Sequence, residues 1–75
     1  KENDDKGNVV NGNVVTVNTE NCVIEGDKKL IATVGLRDMI IVDTPDATLV
    51  STKENAGEIK QVLAKLREEG KNQYL

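Results

Sequence analysis

The sequence contains no histidine, which is the most common general base in enzymes. The candidates for chemistry that remain to be weighed are carboxylates and one thiol. Asp4, Asp5 and Asp27 are candidate ligands for a hard cation such as calcium, which binds carboxylate oxygens. Their spacing does not follow a calcium-binding loop, and the glycine that such a loop requires is missing. We therefore interpret the three aspartates as solvated turn residues, and the sequence predicts no metal site.

The thiol of Cys22 is the second candidate. It lies between Asn21 and Val23, and the chain has no histidine that could generate a thiolate. Buried cysteines commonly behave as small apolar residues. Cys22 is interpreted as a core residue rather than a nucleophile.

Two short motifs match only the beginning of a functional pattern. Asp43-Thr44 begins like the triplet of an aspartic protease, but Pro45 stands where that triplet requires glycine. Residues 35–38 (GLRD) could hold a phosphate on backbone amides with help from the arginine, but neither phosphate-loop pattern follows. No constellation here could carry acid–base or nucleophilic catalysis. The sequence predicts no catalytic, cofactor-binding or metal-binding residue.

Length and composition indicate one small domain with a thin core. At 75 residues, such a domain buries only about 60–65% of the surface that its unfolded chain exposes. Tyr74 is the one aromatic residue, so aliphatic side chains must fill the interior. Small domains usually depend on disulfides, a metal or another protein surface. The single cysteine excludes a disulfide within the chain, and the absence of histidine removes the commonest zinc ligand. Another protein surface is the remaining means of support.

Charge and hydropathy exclude two classes of partner. The net charge is −3 with both signs interspersed, so there is no basic stripe or aromatic platform for nucleic acid. No apolar run approaches the roughly 20 residues that cross a bilayer. One free cysteine and the absence of an Asn-x-Ser/Thr sequon predict a cytoplasmic protein.

The chain divides into four segments. Residues 1–6 (KENDDK) carry no apolar side chain and read as a connector. Residues 7–54 form a β region of Val, Ile and Thr clusters punctuated by turn residues, residues 55–70 a helix, and residues 71–75 a tail. Strands are predicted near 8–11, 13–18, 21–25, 29–34, 38–43 and 47–51.

The β region contains an apparent repeat. Residues 15–24 (VTVNTENCVI) align with residues 40–49 (IIVDTPDATL). Asx and Thr side chains bond nearby backbone amides in turns, so each copy is predicted to form a corner. Two corners imply two stacked coils or two equivalent hairpins, with chance similarity as the alternative. The predicted corner residues are Asn18, Thr19, Asn21, Asp43, Thr44 and Asp46.

Two topologies fit this pattern equally. Asn11-Gly12 could be the centre of a type I′ turn, which would give a small antiparallel meander capped by the helix. Val or Ile positions that recur beside Gly or Asn every few residues are also typical of stacked β-helix coils.

The helix is identified by a change of period. Its apolar residues recur at i, i+3, i+4 and i+7, which places them on one face. Asn55 and Glu58 could form a capping box, and Gly70 suits the position after the last turn. The predicted buried face consists of Ile59, Val62, Leu63 and Leu66.

Nearly the whole chain resembles a known family. Residues 7–10 (GNVV), 12–15 (GNVV), 18–22 (NTENC), 35–44 (GLRDMIIVDT) and 46–50 (DATLV) look, in that order, like the C-terminal region of the mannose-1-phosphate guanylyltransferases, or GDP-mannose pyrophosphorylases. The likeness extends into the helix through 59–62 (IKQV) and 66–70 (LREEG), followed by the aromatic Tyr74.

The resemblance implies a left-handed β-helix that contacts an N-terminal catalytic domain and helps to build a homodimer. It implies that residues 1–6 connect to that missing domain, which would carry the nucleotide loop, the substrate lysine and the carboxylates for Mg²⁺. Some members continue into an isomerase domain, whereas this sequence stops at Leu75, so a monofunctional parent is expected. The expected fold is mainly β with one C-terminal helix. The alternative function is an independent β module that binds a small ligand such as a sugar phosphate.

Overall fold

The computed structural model describes residues 2–71 and 73, and within them the chain forms seven strands and one α-helix. Each of the six predicted strands overlaps an observed one. An additional strand, β1, lies inside the segment read as a connector, and Tyr74 lies outside the described residues. The elements are β1 (Glu2–Asn3), β2 (Val9–Asn11), β3 (Val14–Val17), β4 (Val23–Glu25), β5 (Ile31–Val34), β6 (Met39–Asp43), β7 (Thr48–Thr52), a 3-10 turn (Ala56–Glu58) and α1 (Ile59–Glu68).

The strands stack as the coils of a β-helix. Strands β2, β4 and β6 pair in parallel, with Val10 beside Ile24 and Ile24 beside Ile41. Strands β3 and β5 pair in parallel as a separate two-stranded sheet. Parallel pairing between strands that alternate along the chain requires each coil to pass over the one before it. The β-helix prediction is therefore confirmed, and the antiparallel meander is wrong for this part of the chain.

The backbone at Gly12 explains why no hairpin forms there. A type I′ turn needs positive φ at both central residues, but Asn11 belongs to β2 and Gly12 alone of the pair has positive φ, at 102°. Gly12 also crosses close to Gly26 of the next coil. A Cβ at position 12 would come within 2.8 Å of the Gly26 carbonyl carbon. The position needs glycine for a corner between coils.

The two stretches read as a repeat are not equivalent in the fold. Asn18 and Asn21 take left-handed backbone angles, with φ of 50° and 54°, and turn the chain from β3 into β4. The second stretch joins β6 to β7 as an antiparallel hairpin instead. Pro45 holds its φ near −65° and disfavours the helical region at the preceding residue, so this segment cannot copy the asparagine corner. The coil spacing is 14 residues from Asn8 to Cys22 and 17 from Cys22 to Met39.

The interior is small and unusually polar. Cys22, Ile24 and Ile41 form its buried apolar centre, with Val14, Ile31, Leu36 and Met39 packed partly against it. The buried polar residues are Asn8, Thr19, Thr33 and Asp43. Cys22 is fully buried, as its interpretation as a core residue requires. Within the described residues, no helix is both long and apolar enough to cross a bilayer.

Helix α1 is incompletely covered. None of its residues is buried, and Val62 and Leu63 are 44% and 37% exposed. The prediction of a buried helix face is wrong for this chain, because α1 only borders the β6–β7 hairpin and leaves a groove of about 420 Å³ between them. Asn55 makes no side-chain cap bond. Gly70 does take the left-handed position, and the Lys71 N–H donates to the Leu66 carbonyl at 2.7 Å.

This difference in burial predicts a difference in stability. Ile24→Ala removes a fully buried side chain and should lower the free energy of unfolding by about 2–5 kcal/mol. Leu63→Ala removes a side chain that water already reaches and should cost about 1 kcal/mol or less. Urea unfolding of the two variants beside the unmodified chain measures both values. Equal losses would mean that α1 is packed as firmly as the coil interior.

Candidate functional site

The interior of the coils is organised by one buried amide. Asn8 Oδ1 accepts a hydrogen bond from the Cys22 N–H at 2.8 Å, which ties the first coil to the second. Asn8 Nδ2 donates to the Thr19 carbonyl at 2.7 Å and to Asp4 Oδ2 at 2.8 Å. In the next coil, Cys22 takes the equivalent place, since Met39 N–H contacts Cys22 Sγ at 3.4 Å. The side chains of Asn8 and Cys22 are hydrogen-bonded to backbone groups of neighbouring coils. They are therefore structural and are not placed to bind a substrate.

Asn8 is not among the predicted site residues, although the sequence carries a signal for it. Asn8 follows Gly7, Cys22 follows Asn21, and Met39 follows Asp38; Gly7, Asn21 and Asp38 all have positive φ. A left-handed corner residue is therefore followed by an inward-facing one in three successive coils. The offset between residues 15–24 and 40–49 matches neither of the shorter spacings between these corners.

The first predicted corner, residues 18–21, is held by side-chain hydrogen bonds. Thr19 Oγ1 contacts Thr33 Oγ1 of the neighbouring coil at 2.8 Å, where both residues are buried. Asn21 Nδ2 donates to Asp38 Oδ1 at 2.6 Å, and Asn21 Oδ1 accepts from Lys53 Nζ at 3.0 Å. Asn18 supplies a left-handed backbone position at the exposed edge of the same corner. The Thr19 bond and the Asp38 bond connect one coil to the next, and the Lys53 bond joins the corner to the segment after β7.

The second predicted corner closes the hairpin. Thr44 Oγ1 donates to the Ala47 carbonyl at 3.1 Å and accepts from the Ala47 N–H at 3.2 Å. Asp46 is exposed at the tip. Asp43 is buried and its Oδ1 accepts from Thr48 Oγ1 at 2.6 Å. The structure thus separates Asp43, Thr44 and Asp46 from Asn18, Thr19 and Asn21, and neither set forms a catalytic arrangement.

Asp43 is nevertheless a buried carboxylate with a charged neighbour. Lys29 Nζ lies 3.5 Å from Oδ1, while Oδ2 is buried with no hydrogen-bond partner. The Thr48 hydroxyl lowers the pKa of Asp43 and Lys29 lowers it further, whereas burial opposes both. One carboxylate with a lysine beside it is too small a ligand set for a metal.

The three aspartates considered as metal ligands, Asp4, Asp5 and Asp27, do not form a metal site in the described residues. The pKa of Asp4 is lowered chiefly by the Asn8 side-chain amide and next by the Asn8 backbone N–H. Asp5 and Asp27 are exposed, and the described residues contain no group of three His, Cys, Asp or Glu side chains that could hold a metal ion.

The phosphate-loop candidate is engaged in the coil. The Gly35 N–H donates to the Val17 carbonyl, and the Asp38 N–H donates to the Glu20 carbonyl. Arg37 pairs with Glu20 at 3.3 Å. Two of the amides that would cradle a phosphate are therefore already bonded, which disfavours a sugar-phosphate site at these residues.

The surface offers a better candidate than the interior. Along β3 and β5, alternate side chains point outward, and Val15, Val17 and Val34 are 53%, 51% and 70% exposed. Together with Ala32, which lies beside Val15, they form one apolar surface, here called the valine face. The helix groove adds a second apolar surface, lined by Val42, Leu49 and the apolar residues of α1. Such surfaces are typical of contacts with another protein.

The bonds of Asp43 predict an acid-sensitive stability. Because the folded pKa of this carboxyl lies below its unfolded value of 3.8, its contribution is complete above about pH 5 and is lost as the pH falls through the folded pKa. Thr48→Val removes the main cause of the lowered pKa, so stability should fall less steeply with acid than in the unmodified chain. Thr52→Val, in the same strand but not bonded to Asp43, is the control. The measurement is urea unfolding between pH 5 and 2.5. If Thr48→Val left the acid slope unchanged, the proposed role of this hydroxyl would be wrong.

Comparison with known proteins identifies the domain type. Residues 12–66 match the family model of the MannoseP isomerase/GMP-like β-helix domain. The chain is 38% identical over 72 residues to the alginate biosynthesis protein AlgA of Pseudomonas putida and 37% identical over 71 residues to a mannose-1-phosphate guanylyltransferase of Klebsiella pneumoniae. These alignments cover 96% and 95% of this chain but 15% of each relative.

A solved structure shares the fold. The crystal structure described as mannose-1-phosphate geranyltransferase from Thermus thermophilus superposes with a TM-score of 0.77 at 32% identity, covering 85% of this chain and 20% of the other. The left-handed coil sense implied by the resemblance is consistent with this family domain. With parallel coils, the asparagine corners and the family match in agreement, the chain belongs to the MannoseP isomerase/GMP-like β-helix domain family found in mannose-1-phosphate guanylyltransferases.

Proposed function

We propose that this chain is the C-terminal assembly domain of a mannose-1-phosphate guanylyltransferase, an enzyme that forms GDP-mannose from mannose 1-phosphate and GTP. The observation that carries the proposal is the valine face, because a β-helix this small leaves three valines at least half exposed on one sheet. A surface of this kind on a domain spanning about 15% of its relatives suits contact with the rest of the enzyme.

The proposed partners are the enzyme's own N-terminal catalytic domain and a second copy of the same chain. Identical subunits usually meet about a two-fold axis, through the same patch on both copies. The two apolar surfaces, the valine face and the helix groove, provide area for both contacts. The parent would work in the cytoplasm, where its nucleotide substrate is available.

The chemistry is assigned to the catalytic domain. Guanylyl transfer there would use Mg²⁺ to neutralise phosphate charge, and no cluster suited to that ion occurs among the described residues of this chain. The role of this domain is then to hold catalytic domains in a fixed arrangement, which is a structural contribution to activity.

The first test concerns catalysis. The chain alone, incubated with mannose 1-phosphate, GTP and Mg²⁺, should release no pyrophosphate above a blank, because it offers no phosphate loop and no general base. A coupled pyrophosphate assay measures this, with the full-length enzyme as the positive control. Turnover that remained with the chain through several purification steps would overturn the assignment.

The second test concerns assembly. The chain should associate with itself in sedimentation equilibrium over a hundredfold range of concentration, because association removes exposed valine surface from water. Val34→Asp places a charge on the valine face and should weaken association at least tenfold. Gln61→Asp, on the polar side of α1, makes the same change of one charge unit at an exposed position and should leave association intact.

The decisive comparison uses the parent enzyme. A full-length enzyme that stayed dimeric and fully active after deletion of residues 7–75 would remove the assembly role altogether. Loss of the dimer after that deletion, with the catalytic domain still folded by circular dichroism, would support it.

A further inference from the structure

The third coil of the β-helix is incomplete. After β6 the chain would have to turn and run above β5 to finish another coil. Instead β7 turns back and pairs antiparallel with β6, from Met39 opposite Thr52 to Asp43 opposite Thr48. Strand β5 therefore pairs with β3 and with no other described strand. A cleft of about 360 Å³, lined in part by Ile31, Ala32 and Ile41, lies beside it.

The open edge of β5 presents unpaired backbone groups. The N–H groups of Ile31 and Gly35 are directed toward β3, where they donate to the Asn13 and Val17 carbonyls at 2.9 Å. Because backbone groups alternate in direction along a strand, those of Ala32 and Val34 are directed away from β3. Unpaired groups of this kind are a template for an incoming strand.

The same edge is self-complementary. Leu30 and Val34 are the two most exposed of the large apolar side chains, at 59% and 70%, and they stand two residues to either side of Ala32. If two β5 strands pair antiparallel with Ala32 opposite Ala32, then Leu30 of each faces Val34 of the other. The smallest of the three side chains lies on the axis, and residues 30–35 carry no charge that would meet a like charge.

We propose that two copies of this chain associate by pairing their β5 strands across a two-fold axis at Ala32. The product is a continuous four-stranded sheet in the order β3-β5-β5-β3. The partner strand occupies the place that the unfinished coil leaves open, and Leu30 of each copy packs against Val34 of the other. The inference rests on the proposed self-association and adds its location and register.

Cysteine cross-linking tests the register. In a hydrogen-bonded antiparallel pair, facing Cα atoms are about 5.5 Å apart, which is within the range of a disulfide. Ala32→Cys should therefore form a covalent dimer on mild oxidation. Val34→Cys is the matched control, because its counterpart lies four residues along the partner strand, roughly 14 Å away. The unmodified chain controls for Cys22, which is fully buried. We expect cross-linking at least tenfold faster for Ala32→Cys, and an equal or faster rate for Val34→Cys would overturn the register.

Ala32→Pro tests whether the backbone N–H groups on the open edge of β5 are needed for self-association. Proline removes an N–H that is directed away from β3, so self-association should weaken at least tenfold. At concentrations where the unmodified chain is monomeric, the two chains should share the same unfolding midpoint in urea. One outcome would overturn the β5 contact alone: the unmodified chain is a dimer, Ala32→Cys does not cross-link, and Ala32→Pro stays dimeric. In that case the chain associates through another surface, and the proposed assembly function stands. A monomer at every concentration would overturn the β5 contact and leave the catalytic domain as the proposed partner.

Discussion

The fold depends on the buried side-chain amide of Asn8. A β-helix of so few coils has little apolar volume, and its first coil lies against the short strand β1 rather than against another complete coil. Asn8 compensates by bonding the Cys22 N–H of the next coil, the Thr19 carbonyl of its own coil, and Asp4 of the segment that leads into it. A buried polar group is costly unless it is paired. Here the Asn8 amide is fully paired, and its bond to the Cys22 N–H fixes the register between the two coils.

The prominence of polar groups follows from the narrow interior. Ile24 and Ile41 occupy adjacent levels of one stack, and Thr19 and Thr33 bond to each other on another side. Hydroxyl and amide side chains are short and can satisfy backbone groups at the corners, where regular strand pairing is interrupted. The same narrowness explains why Cys22 is buried without any catalytic partner, since a thiol fits where a larger side chain would not.

The sequence predicted the strands well because Val, Ile and Thr clusters bounded by Gly and Asn are a local signal. It could not choose between hairpin and coil at Asn11-Gly12, because that choice depends on Gly26 in the next coil. The apparent repeat was misleading for a related reason: Asn21 and Asp46 occupy similar local sequences, but Pro45 changes the path of the backbone. The apolar residues that the helix pattern selected line the groove beside the β6–β7 hairpin. Whether that face is covered depends on what surrounds the helix, which periodicity does not record.

The antiparallel strands at the two ends of the larger sheet have a consequence for aggregation. Parallel β-coils are, in principle, able to stack without limit from one molecule to the next, as fibrils do. In this chain, β1 pairs antiparallel against the first coil and β7 pairs antiparallel against the last. An incoming coil of the same sequence would need a parallel neighbour and would meet a reversed strand at either end of that sheet. The larger sheet is thereby capped at both ends against the parallel addition of further coils.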